Sequence, residues 1–145
     1  MTRTFPAIFL LLAACDGASE ACSTKKATAR TAWGEVGVRY ALALSTAEEA
    51  VKEPTGRLAA LERRPDAPAE GKAALTAEIA EQQALIDVLG PKVADARAVS
   101  AAFAGGTAAS GRALSAATAA RLEGDDVGAA VRLADAAAVA CEGVD

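Results

Sequence analysis

The sequence predicts an all-α protein, an antiparallel helical bundle in which two long helices are packed by a shorter C-terminal helical hairpin. Three observations carry this. The first is composition. Of 145 residues 52% are hydrophobic yet only 3% aromatic, and about 40 are alanine, the strongest helix former. The residues that favour strands are sparse and scattered. The second is periodicity, since the larger apolar residues recur at spacings of three and four. The third is punctuation, with proline and glycine clusters cutting the chain into long and short segments.

Ser23 or Thr24 supplies a cap for the first long helix. Its inner stripe reads Trp33, Val36, Tyr40, Leu44, Ala47 and Val51. Ser45 and Glu48 resemble a capping box, but the stripe runs through them, which favours one long helix. Glu53-Pro54-Thr55-Gly56 is expected to stop or kink it, with one or two further turns over 57–64. The stretch 63–71, RRPDAPAEG, reads as a loop. The next stripe is Leu75, Ile79, Gln82, Ile86, Leu89, Val93, Ala96, Ser100 and Phe103, close to a coiled-coil heptad. Gly90-Pro91 inside it predicts a kink, and Gly105-Gly106 its end.

A third helix is expected from about Thr107 to Leu122, with Leu114 its only large apolar residue before that end. Asp125 or Asp126 is expected to cap a fourth, which carries Val131, Leu133 and Val139 to Cys141. At 1.5 Å per residue, about thirty residues span roughly 45 Å and fifteen about half that. The chain is thus expected to go up, fully down, halfway up and back. Large side chains contribute roughly 1.5–3 kcal/mol each when buried. The late hairpin has few of them and is expected to be the looser part.

Residues 1–14 have the order of an export signal: Arg3, an apolar run from Phe5 to Leu12, then small residues. The run is shorter than the roughly 20 residues a bilayer requires. Leu12-Ala13-Ala14-Cys15 resembles the lipobox of bacterial lipoproteins. The resemblance covers the first fifteen residues. It implies that Cys15 receives a diacylglycerol through its sulfur and becomes the mature N-terminus, with fatty acyl groups such as palmitate. It also implies a signal peptide over 1–14; residues 15–21 then read as a tether and 22–145 as the helical bundle domain. The aspartate at position 16 matches the enterobacterial signal for inner-membrane retention, a rule that does not hold in all bacteria, so either membrane stays open. The alternative is an ordinary signal peptide cut near Ala14, leaving Cys15 a plain thiol.

Chemistry-bearing groups are few. Histidine is absent, which removes the commonest general base and metal ligand. The three cysteines lack the close pairing of a zinc site. Gly106 and Gly111 have the spacing of a phosphate-binding loop, but Arg112 and Ala113 stand where it needs Lys and Ser or Thr. Glu123, Asp125 and Asp126 do not match an EF-hand. Glu48, Glu49 and Glu53, with Glu78 and Glu81, read as charged outer faces. No catalytic residue, metal site or cofactor is assigned. The net charge of -4 argues against nucleic acid.

Lys25, Lys26 and Arg30 sit near the expected start of the first helix, where its dipole disfavours positive charge. About ten residues beyond the anchor, they are candidates for contact with anionic lipid headgroups, or else plain solvated charges. Trp33 and Tyr40 share one helical face and read as core, or as the wall of a small-ligand pocket.

With Cys15 spent on lipid, Cys22 and Cys141 remain. The expected path brings both to one end of the bundle, which predicts a disulfide between them; free thiols or an intermolecular bridge are the alternatives. The reading implied is a lipid-anchored protein of the bacterial envelope, facing the periplasm. Its bundle is a non-enzymatic interaction or structural module, with the membrane and an envelope protein as partners. A ligand-binding lipoprotein with a pocket near Trp33 and Tyr40 is the alternative.

Overall fold

The computed structural model describes the backbone of residues 7–144 and the side chains of residues 17–144. The signal segment 1–14 and Cys15 lie outside the residues whose side chains are described. The order is α1 (Ala7–Ala50), α2 (Lys52–Glu62), α3 (Ala69–Gly105), α4 (Ala108–Ala119) and α5 (Asp125–Ala140), with no strand among the described residues. The predicted all-α bundle is observed: α1 continued by α2 packs against α3 and the shorter α4 and α5.

Two boundaries differ from expectation. Helix α1 already includes residues 16–21 and passes through Ser23 and Thr24, neither of which caps it. The Thr24 carbonyl instead accepts from the Thr28 hydroxyl at 2.9 Å, within the helix. The alanine-rich chain upstream continues the helix, and a local cap signal does not override it. Helix α5 is capped by Gly124, not by Asp125 or Asp126. At φ 126° Gly124 has a backbone that side-chain-bearing residues rarely adopt. The two aspartates fill the first turn, where negative charge complements the helix dipole.

The chain divides into two compact units. The first joins residues up to Val36 with those from Asp95 onward, so it holds the early part of α1, the last turns of α3, and α4 and α5. Its core is Ala29, Trp33 and Val36 from α1, Ala96, Val99 and Phe103 from α3, and Val127, Ala130, Ala134 and Ala137 from α5. Helix α4 turns inward Ala108, Gly111, Ser115 and Thr118. Within this unit the last helices turn back as predicted. Arg121, just past α4, donates to Asp95 Oδ2 at 3.0 Å, so α4 runs back along α3. Arg112 of α4 donates to Asp135 Oδ1 of α5 at 2.7 Å. The close of α5 brings Cys141 to Cys22, and the two form a disulfide with Cα atoms 4.6 Å apart.

Large residues mislead here. Leu114 is 36% exposed and Val139 70%, while Val131 and Leu133 are half-buried. The inner faces of α4 and α5 are built from alanine, glycine, serine and threonine, with Val127 the one large exception. Small side chains let helices approach closely, and the inward-facing residues of the hairpin are buried although few of them are large.

The second unit, Gly37–Ala94, is a helical hairpin of late α1, α2 and early α3. Val51 interrupts α1 and α2, while helical bonds continue on both sides, Val51 N–H to Ala47 O and Thr55 N–H to Val51 O, each 3.2 Å. The interruption follows from Pro54, which has no N–H to offer the Ala50 carbonyl. Proline in the first turn of α2 costs little, and α2 runs on to Glu62. Pro91 does not end α3, which continues to Gly105. The predicted stripes face inward, but of their members in this unit only Tyr40, Ala47, Leu75 and Val93 are buried, beside Gly37 and Pro54. Leu44, Val51, Ile79, Gln82, Ile86 and Leu89 are half-buried, as expected when two helices have only each other to cover them.

Candidate functional site

The first unit holds Cys22, Lys25, Lys26, Arg30, Trp33 and Cys141, and Tyr40 lies in the second. Trp33 is fully buried, and an indole N–H removed from water needs an acceptor. Ser115 Oγ supplies it at 3.1 Å. The hydroxyl comes from α4, 82 residues away.

The glycine-rich stretch at 105–111 has a structural use. Gly106 N–H bonds to Ala102 O at 2.9 Å and closes α3. Thr107, in an extended backbone, caps α4 by accepting from Ser110 N–H at 3.1 Å. At Gly111 a Cβ would stand 2.7 Å from ring atoms of Phe103, so the glycine makes room for that ring against the α4 backbone. No strand precedes the stretch among the described residues, and it is a helix junction, not a phosphate loop.

Lys25, Lys26 and Arg30 lie well inside α1, not at its start, so its N-terminal dipole does not oppose them. Lys26 Nζ donates to the carbonyl of Gly106 at 2.8 Å, immediately past α3. A cation there satisfies a terminal carbonyl and complements the negative end of that helix. Arg30 is tied through its backbone, its carbonyl accepting from Ser100 Oγ at 3.0 Å. Lys25 and Arg30 are exposed and Lys26 is half-buried. Lys26 and Arg30 border an open groove of about 390 Å³ with Ser19, Ser23, Phe103 and Val144, next to Cys22.

Comparison with protein-family models, curated proteins and solved structures finds no match. The chemistry of the site therefore rests on the residues themselves.

Two further grooves open on this unit. One of about 690 Å³ lies between α4 and α5, lined by four alanines with Arg112, Val139 and Glu142 among others. The other, about 630 Å³, is lined by Ser23, Thr24, Thr28, Thr31, Glu35 and Leu133 among others. Neither Trp33 nor Tyr40 lines any of the three grooves. In the second unit the Tyr40 ring is 5% exposed, with the Arg39 guanidinium 4.2 Å and the Lys92 ammonium 5.5 Å from its centre. Among the described residues, no three His, Cys, Asp or Glu side chains converge as a metal site. No helix among them is long and apolar enough to cross a membrane.

The charged groups otherwise make surface pairs. Arg121 is held more firmly protonated by its hydrogen bond to Asp95 and by that carboxylate's charge. Lys52 is likewise raised by its hydrogen bond to Glu49 and the charge of that group. Both are solvent-exposed pairs of the kind that contributes little to stability.

Proposed function

We propose that the chain is a lipid-anchored lipoprotein of the bacterial cell envelope. Its helical domain faces the periplasm and works as a non-enzymatic module that docks an envelope protein. The supporting observation is the fate of the cysteines. Cys22 and Cys141 are joined to each other, which suits an oxidising compartment. Of the three cysteines in the sequence, Cys15 is then the one left for other chemistry, and it stands directly after Leu12-Ala13-Ala14. Lys25 and Arg30, exposed on the same helix shortly beyond Cys15, would meet anionic headgroups at roughly 1 kcal/mol each. Lys26 contributes mainly through the α3 carbonyl.

Metabolic labelling with a fatty acid tests the anchor. The wild type should take up label, and Cys15→Ser should take up none and accumulate as unprocessed precursor. A wild type without label overturns the anchor. Site-specific photo-crosslinkers at exposed positions such as Val38, Leu42, Leu114 and Val139 test the docking role in living cells. A crosslinked species of one discrete mass, from adjacent positions only, supports it. Absence of any such species at every position removes it.

A further inference from the structure

We draw no further inference here: the strongest candidate, the outer face of α3 around the exposed Leu85 and Val88, carries nothing because nothing in the structure shows what covers it.

Discussion

The two units bury their residues by opposite means. In the first, four helical stretches surround a core rich in alanine, and its residues are enclosed almost completely, with Trp33, Val99, Ala130, Ala134 and Ala137 at or near zero exposure. In the second, two helices carry leucine and isoleucine, yet most of those side chains remain half-exposed. Burial therefore follows the number of neighbouring helices more than the size of the side chain. An alanine ringed by three other helices is better covered than an isoleucine facing one. The difference also locates the specific contacts. The indole–hydroxyl bond, the Phe103 ring on Gly111, the lysine on Gly106 and the disulfide all belong to the first unit.

The chain supplies a reporter for each side of this comparison. Its single tryptophan, Trp33, lies in the first unit and its single tyrosine, Tyr40, in the second. The largest expected effect is removal of the disulfide by Cys22→Ala with Cys141→Ala. The bond spans 119 positions, and in the chain-entropy model closing such a loop contributes about 5 kcal/mol. In denaturant titrations the tryptophan transition should move strongly to lower concentration, with the tyrosine signal moving less. Coincident transitions would show one cooperative block and dissolve the comparison.

Gly111→Ala comes next. The new methyl overlaps the Phe103 ring, and overpacking of this kind costs about 1–3 kcal/mol. A thermal midpoint equal to wild type would mean that the ring moves aside freely. In the second unit, Ile86→Ala should cost less than the roughly 2–5 kcal/mol of a fully buried site, because the residue is only half-covered. A loss at the top of that range would mean that the hairpin is covered by something further. Lys26→Met should be the smallest, about 0.3–1 kcal/mol, and should show as faster amide exchange in the last turn of α3. Unchanged exchange there would remove the capping role.

The same contrast explains what the sequence made legible. The stripes of α1 and α3 were readable from Trp33, Tyr40, Leu75, Val93 and Phe103, because large residues mark a face at helical spacing. The faces of α4 and α5 were not, because alanine occupies every side of both helices. Leu114 and Val139 then drew attention to positions that the fold leaves outside. The start of α1 was missed for a related reason, since Ser23 and Thr24 carry a cap signal that the helix-forming alanines around them outweigh. The disulfide was readable because the lipobox resemblance sets Cys15 apart and the expected helix path brings the two remaining cysteines to one end. The partners of Trp33 and Lys26 lie about eighty residues away, and no local pattern points to them.

The proposed division of labour among the three cysteines is tested by peptide mapping of the membrane-extracted protein under non-reducing conditions. The predicted result is a peptide pair joining Cys22 to Cys141, together with an N-terminal peptide that begins at Cys15 and carries the mass of a diacylglyceryl group. Alkylatable thiols at Cys22 and Cys141, or a disulfide that includes Cys15, would contradict it.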